Sequence, residues 1–142
     1  MITQTAEYAL RTVAYLATVD NQIARRSDIA ESVQVSVAYL TKVLRDLEAA
    51  GIVQVKRGPN GGYSLLKSPE LLSVYDVVSA VEQLHRIQKC PLGIVGHQKL
   101  CPLHDSLDHA AALVEQHFKG TTIAELLPKR ISNKGCKFPR QS

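Results

Sequence analysis

The chain has 142 residues, of which 45% are hydrophobic. This length suits one core, or a small domain with a dimerisation element, rather than two large domains. No apolar run is long enough to span a membrane, and Glu7 and Arg11 interrupt the opening apolar pattern, so we expect neither a transmembrane helix nor a signal peptide. Three cysteines do not form the even-numbered framework of a secreted disulfide protein, and we therefore expect a cytoplasmic protein without membrane contact.

The net charge of +4 comes mainly from the end of the chain. Residues 1–67 hold 8 Lys and Arg against 6 Asp and Glu, residues 68–128 hold 4 against 7, and residues 129–142 hold 5 against none. A basic surplus favours nucleic-acid partners, but its distribution matters more than its size. We expect residues 129–142 to form a basic, disordered tail, or else an arm along a DNA backbone.

Two helices are predicted first, over residues 3–18 and 27–33. A stripe of mostly small apolar side chains runs along the first helix at Ala6, Ala9, Leu10, Val13, Ala14 and Ala17. Ser27 is a candidate N-cap for the second helix, and the acidic residues that follow it suit the positive end of the helix dipole. Arg25 and Arg26 stand just before this cap, where they either reach phosphates that flank a groove or lie in solvent.

The third predicted helix, residues 36–50, is the candidate DNA-reading element. Ser36 is its natural N-cap, and Gly51 suits the turn after its end. Three- and four-residue spacing predicts one buried face, formed by Val37, Leu40, Leu44 and Leu47. Its opposite face carries small or basic side chains, which can enter a groove and reach base edges or phosphates. We predict DNA contacts from this helix at Ser36, Ala38, Tyr39, Thr41, Lys42 and Arg45.

A helix-turn-helix is indicated because only two residues separate the second helix from the third, although helical hairpins without a DNA role share this arrangement. A β-hairpin follows, with strands at residues 52–56 and 63–66 and a run of turn-forming residues between them. Such a hairpin is typical of the wing of a winged helix, and its tip is basic. We predict backbone or minor-groove contacts from Lys56, Arg57 and Asn60, with Gly61 allowing a close approach.

The second half of the chain predicts three further helices. Ser73 starts a capping box and a helix that continues to about Glu82, and Thr122 starts another helix that Pro128 would end. Between them, residues 103–120 form a long helix with apolar positions at Leu107, Ala110, Ala111, Val114 and Phe118. We expect this helix to pair with its copy in a second subunit, the alternative being that it packs on its own domain.

The expected fold is therefore mainly α with a small β-hairpin. A winged helix-turn-helix domain occupies residues 1–67, and a loop with dimerisation helices occupies residues 68–128. A homodimer suits DNA recognition because two-fold symmetry matches two half-sites of an operator. The sequence offers no Ser/His/Asp grouping in a supporting context, no phosphate-binding loop and no paired carboxylates, so we do not expect an enzyme.

Residues 84–101, called here the cysteine loop, lose helical periodicity and contain candidate metal ligands. Cys90 and Cys101 lie in the loop, and His104 follows three residues after the second cysteine. Thiolate and imidazole are the groups that bind iron–sulfur clusters and zinc. The spacing alone also suits buried free cysteines and a histidine that faces solvent.

Three stretches of the sequence resemble one family of regulators. They are residues 7–11 of the first helix, residues 36–40 of the third helix and residues 57–63 at the wing tip. They resemble the iron–sulfur and nitric-oxide-responsive winged-helix regulators of the IscR/NsrR type, and the likeness covers about residues 1–128. The resemblance implies a homodimeric repressor that binds a double-stranded DNA operator and is switched by an iron–sulfur cluster sensing redox state or nitric oxide.

The cluster site of that family is matched in part. Relatives with a cluster typically have three cysteines in this loop and often a histidine after the last; Cys90, Cys101 and His104 match, whereas the middle cysteine is missing. His97 lies near its place, and Glu7 matches the position of an acidic ligand supplied by the partner subunit in some relatives. The resemblance implies a cluster on Cys90 and Cys101 with two of His97, His104 and Glu7. The alternatives are a cofactor-free repressor controlled by a partner protein and a zinc-stabilised DNA-binding module.

Overall fold

The computed structural model of the chain describes residues 1–19, 23–96 and 101–127. Within these ranges the chain is mainly helical with one small antiparallel hairpin, as predicted. The elements in chain order are α1 (Gln4–Thr18), α2 (Arg26–Val33), α3 (Val37–Ala49), β1 (Val53–Lys56), β2 (Gly62–Leu65), α4 (Val74–Val81), α5 (Pro102–Gly120) and α6 (Ile123–Leu126). The predicted basic tail at residues 129–142 lies outside the described residues.

Side-chain caps start three of the helices where the sequence predicts them. The Ser36 hydroxyl accepts a hydrogen bond from the Tyr39 N–H at 3.2 Å and so starts α3. Ser73 and Thr122 form complete capping boxes at the starts of α4 and α6. These caps satisfy backbone N–H groups that have no partner inside the helix, so the helix starts are encoded locally.

The start of α2 differs from the prediction. The helix begins at Arg26 with Arg25 as its N-cap, and no side chain caps it, so the predicted Ser27 cap is wrong. Ala24 forms an isolated β-bridge with Tyr63, which holds the chain extended up to Arg25. Because the bridge fixes this entry, the chain turns into the helix one residue before the serine.

One hydrophobic core lies between α1, α2, α3 and α4. Its fully buried large side chains include Leu16, Ile29, Leu40, Leu44, Leu47, Ile52, Leu72 and Ile123. The predicted burial of Val37 is wrong, because this side chain is 49% exposed while Val43 is buried. At 3.6 residues per turn, Val37 lies roughly 70° from the middle of the buried face and Val43 roughly 50°. Val37 therefore falls at the edge of the packed face.

The wing is a two-stranded sheet that is fastened to the start of α2. Its register pairs Val53 with Leu65 and Lys56 with Gly62. The bridge from Ala24 to Tyr63 continues this sheet on the other side of β2, with hydrogen bonds of 2.8 and 2.9 Å. A Cβ atom on Gly62 would lie 2.3 Å from the Ala24 carbonyl oxygen, so only glycine fits between the strand and the chain before α2.

The long helix α5 contributes little to the core. It packs on α4 along one side, yet His104 is the one buried side chain among its 19 described residues. Leu103, Leu107 and Leu113 are between 41 and 53% exposed. A single copy of the chain thus leaves an apolar face on α5. No helix in the described ranges is both long and apolar enough to cross a membrane.

Candidate functional site

The exposed side of the helix-turn-helix forms a basic surface, called here the recognition surface. It comprises Arg25, Arg26, Ser36, Ala38, Thr41, Lys42 and Arg45, all exposed except the half-buried Thr41. Arg26 is joined to α3 because its Nη1 donates to Thr41 Oγ1 at 3.1 Å. In the described part of the chain, Arg11, Arg86 and Lys119 form ion pairs with carboxylates, whereas the cations of the recognition surface form none. These cations remain available for phosphates.

Tyr39 differs from the other predicted DNA contacts because it faces α1. Its ring is half-buried and meets the Tyr8 ring edge-on at a centroid distance of 5.5 Å. Its hydroxyl forms a hydrogen bond with the Thr5 hydroxyl. Arg11 in turn lies over the Tyr8 ring at 5.5 Å. Tyr39 therefore links α3 to α1, a role that helical periodicity did not reveal.

The wing tip places its predicted contact residues in solvent. Lys56, Arg57 and Asn60 are exposed. At Gly61 a Cβ atom would lie 2.1 Å from the Lys56 carbonyl oxygen and 2.9 Å from that of Gly58. Gly61 is therefore required by the turn itself. Because Tyr63 of the wing is bridged to Ala24, backbone hydrogen bonds join the wing to the chain that enters α2.

The two cysteines of the cysteine loop meet at the start of α5. Cys90 Sγ and Cys101 Sγ lie 3.7 Å apart, and both side chains are half-buried. Cys101 is the N-cap of α5, since its sulfur accepts a hydrogen bond from the His104 N–H at 3.4 Å. Cys90 opens a tight turn in which the Gly93 N–H donates to the Cys90 carbonyl oxygen at 3.0 Å.

Hydrogen bonds around Cys90 lower the pKa of its thiol. Burial raises the pKa of this thiol, but hydrogen bonds from the backbone N–H groups of Leu92 and Ile94 and from the Cys101 thiol outweigh that effect and lower the pKa below its ordinary value. Thiolate is the form that binds soft metals, and N–H groups directed at sulfur are a common feature of iron–sulfur sites. The donor set at this point therefore fits two ligands of such a cluster.

A hydrogen-bonded arrangement, called here the Ile87 clamp, ties the loop to α5. The Ile87 N–H donates to Asp108 Oδ1 at 3.2 Å, and the Ile87 carbonyl oxygen lies 2.8 Å from His104 Nε2. Arg86 binds both carboxylate oxygens of Asp108, at 2.8 and 2.6 Å. The hydrogen bonds from the Arg86 side chain, which outweigh the effect of burial, lower the pKa of Asp108 to about 2. The clamp fixes the chain three residues before Cys90.

The other predicted metal ligands are not gathered around the two sulfur atoms. His104 is buried, and its Nε2 is already engaged in the Ile87 clamp. Glu7 is half exposed on α1 and lies 3.7 Å from Arg11. His97 lies outside the described residues. Among the residues that the structure describes, no three His, Cys, Asp or Glu side chains come together in a group able to hold a metal ion.

Sequence reasoning missed Arg86, Ile87 and Asp108. Asp108 lies more than twenty positions after Arg86 and Ile87 along the chain, and nothing in the local pattern of either segment marks these residues. The available signal was weak: an arginine a few residues after the end of α4 and an aspartate in the second turn of α5. Their pairing depends on how α5 returns along α4.

A family model described as "Rrf2: Iron-dependent Transcriptional regulator" matches residues 2–129, nearly the whole chain. The chain is a member of the Rrf2 family. It is accordingly a transcriptional regulator of the helix-turn-helix type and not an enzyme. The resemblance seen in the sequence is thereby confirmed at the level of the family.

Individual relatives agree with this assignment. The chain is 35% identical over 103 residues to the HTH-type transcriptional regulator NsrR of Bacillus licheniformis, covering 72% of each protein. The structure of T. potens IscR superposes with a TM-score of 0.74 at 20% identity and covers 89% of this chain and 85% of its own. CymR of B. subtilis, described as the global cysteine regulator, gives a TM-score of 0.70 at 21% identity over 89% of this chain and 95% of its own. These two structures establish the winged-helix fold.

Proposed function

We propose that this Rrf2-family chain is a homodimeric repressor whose hold on operator DNA is controlled by an iron–sulfur cluster at Cys90 and Cys101. The observation that carries the proposal is the 3.7 Å separation of the two sulfur atoms at the start of α5. The cluster would sense redox state or nitric oxide. DNA would be bound by the recognition surface and the wing.

The recognition surface supports DNA binding through its shape and charge. Lys42 and Arg45 project from the exposed side of α3, and the described residues provide no carboxylate partner for them. A helix that enters the major groove reads bases with such side chains, whereas cations beside it hold phosphates. Arg57 at the wing tip and Arg26 at the start of α2 flank α3 and are suited to phosphate contacts.

Binding to an operator selected from random duplex DNA tests this surface. Lys42→Ala and Arg45→Ala should each weaken binding by about 1–3 kcal/mol if the side chain reads a base. If the side chain instead holds a phosphate, the slope of log K against log salt concentration should become shallower by about 1. Arg57→Ala should weaken binding to many sequences alike. Lys119→Ala removes a cation that is paired with Glu115 on α5 and serves as the matched control. Unchanged affinity in both α3 variants would refute the assignment.

The thiol pair supports a cluster with two protein thiolates. Cys101 is held by its place as the cap of α5, and Cys90 by the turn and the Ile87 clamp that precede it. When bound, the cluster would supply redox and nitric-oxide chemistry. The remaining ligands would come from His97, from His104 after release of the Ile87 carbonyl, or from Glu7 of the partner subunit. Carboxylate and imidazole bind iron less covalently than thiolate, which suits a labile site.

Anaerobic reconstitution with iron and sulfide tests the cluster. The wild type should become coloured and contain iron and sulfide, whereas Cys90→Ser and Cys101→Ser should stay nearly colourless. Cys136→Ser, a change in the third cysteine, is the control and should behave as the wild type. A colourless wild type, or colour that both loop variants retain, would contradict the proposal. Zinc bound in place of iron would instead favour the zinc-stabilised module.

The exposed face of α5 supports the homodimer. Leu103, Leu107 and Ala110 share one side of the helix and remain exposed in a single chain. Ala111, Val114 and Phe118, predicted for the same interface, are already half-buried within the chain. Leu107→Glu should give monomers in sedimentation, because a carboxylate would be buried without a partner. Leu71→Glu, at an 80% exposed leucine outside α5, is the control. A wild type that is already monomeric at micromolar concentration would refute the dimer.

A cofactor-free repressor is the second candidate. It is favoured by the fact that only two of the predicted ligands meet among the described residues. The chain also shares its fold with CymR, which is described as the global cysteine regulator. The reconstitution experiment separates the two candidates, since this one predicts a colourless protein with unimpaired operator binding.

A further inference from the structure

The two sulfur atoms of the cysteine loop are also placed to react with each other. They lie 3.7 Å apart, and both cysteines are free thiols. A disulfide bond requires about 2.0 Å between the sulfur atoms. Residues 91–96, which connect Cys90 to the rest of the loop, are all exposed. The remaining approach can therefore be made by local movement on the Cys90 side, without disturbing the core.

Both cysteines are anchored to the same helix. Cys101 caps α5 through the His104 N–H, and the Ile87 clamp attaches the segment before Cys90 to His104 and Asp108 of α5. Two reacting groups that are held near each other react far faster than the same groups free in solution. Once one of these cysteines carries a mixed disulfide, attack by the other cysteine should therefore be faster than attack by an external thiol.

We propose that Cys90 and Cys101 form a thiol–disulfide exchange site for low-molecular-weight disulfides when no cluster is bound. One protein thiolate attacks a sulfur atom of the small disulfide, forms a mixed disulfide and releases one small thiolate. The other protein thiolate then attacks the protein sulfur, closes the Cys90–Cys101 bond and releases the second small thiolate. The protein loses two thiol protons and two electrons, and the small disulfide is reduced to two thiols.

The reaction has a consequence for the cluster, and in this respect the inference rests on the proposed function. A disulfide removes both thiolates that would bind iron. The oxidised chain should therefore be unable to accept a cluster until a reductant opens the bond. After the cluster is lost, the disulfide would persist under oxidising conditions and would delay the binding of a new cluster.

The experiment uses the full-length, cluster-free, reduced protein treated anaerobically with oxidised glutathione. Free thiols, counted with a maleimide after denaturation, should fall from three to one. Trypsin can cleave after Lys89 and Lys99, so the two cysteines enter separate peptides. Mass spectrometry should find these peptides joined, with the loss of two hydrogen atoms. Cys136→Ser should form the same link, whereas Cys90→Ser should carry only a glutathione adduct on Cys101.

The outcomes separate this inference from the proposed function. Glutathione adducts on both loop cysteines without an internal link, a link that involves Cys136, or loop thiols that remain free would each overturn the exchange site. Iron and sulfide are added in parallel to the reduced and to the linked protein. Uptake by the reduced form alone, restored in the linked form by dithiothreitol, supports both proposals. A link without uptake by the reduced form rejects the cluster and leaves the exchange site standing.

Discussion

The region from α1 to α4 and the region of the cysteine loop and α5 reach their shapes by different means. In the first, four helices share one apolar core, and side-chain caps fix the starts of α1, α3 and α4. In the second, α5 buries His104 alone, and the Ile87 clamp holds the loop. The first region is stabilised by its own burial. The second leaves an apolar face and two free thiols in a single chain.

Under the proposed function, this difference indicates where regulation would act. Segments with little buried apolar surface open or move at a lower free-energy cost than core segments, and sensing elements are drawn from them. Helix α4 connects the two regions, because α5 packs on it and it packs in turn on α1 and α3. Helices α1 and α3 are further joined by the contact between Tyr8 and Tyr39. A change at the loop can therefore alter the placement of α3 while the core stays intact.

The largest expected effect tests whether stability resides in the first region. Leu44→Ala removes a fully buried side chain of α3 and should lower the free energy of unfolding by about 2–5 kcal/mol. Leu113→Ala, the same change at a 53% exposed position of α5, should cost less than about 0.5 kcal/mol. Urea unfolding followed by circular dichroism measures both, in a monomeric Leu107→Glu background. Equal decreases in the free energy of unfolding of the two variants would show that the regions do not differ in this way.

An intermediate effect is expected from the Ile87 clamp and depends on pH. The pKa of Asp108 is lowered from 3.8 to about 2. A lowered carboxyl pKa adds stability above its unfolded value, and this contribution is lost as the pH falls from about 4 towards 2. Asp108→Asn and Arg86→Gln should both reduce the pH dependence of the free energy of unfolding in that window. Lys119→Gln, which breaks a separate pair on the same helix, is the control. If both clamp variants keep the pH dependence of the wild type, the clamp does not form in solution.

The smallest expected effect concerns the link between α1 and α3. Tyr39→Phe and Thr5→Val each remove one hydroxyl of the pair and should lower stability by about 0.5–1.5 kcal/mol. Because both changes break the same hydrogen bond, the double variant should cost less than the sum of the single ones. Strictly additive losses in urea unfolding would mean that the two hydroxyls do not interact.

The sequence predicted those features that local chemistry encodes. Ser36, Ser73 and Thr122 predict the starts of three helices because their hydroxyls accept hydrogen bonds from backbone N–H groups three residues further on. The alternating strands and the run of turn-forming residues likewise predict the hairpin, although β1 begins one residue later and β2 lies one residue earlier than predicted. The wing motif and the opening helix also led to the correct family.

Features that depend on distant contacts were missed. Val37 follows the apolar spacing of α3 but lies at the edge of the packed face and is half exposed. The bridge from Ala24 to Tyr63 displaced the start of α2 to Arg26. The cysteines and His104 were recognisable as ligand types, but the engagement of His104 with Ile87 depends on the return of α5 along α4. The spacing of residues within one segment does not predict contacts between distant segments.

The most direct test of the central claim is the operator affinity of one anaerobically reconstituted sample, measured before and after the cluster is removed with nitric oxide. If the cluster controls DNA binding, the wild-type Kd rises at least about tenfold, within the usual range of allosteric coupling. Cys90→Ser should show one unchanging Kd under both conditions, and Cys136→Ser should respond as the wild type. A reconstituted wild type whose affinity is the same before and after cluster loss would contradict the claim that the cysteine loop controls the recognition surface.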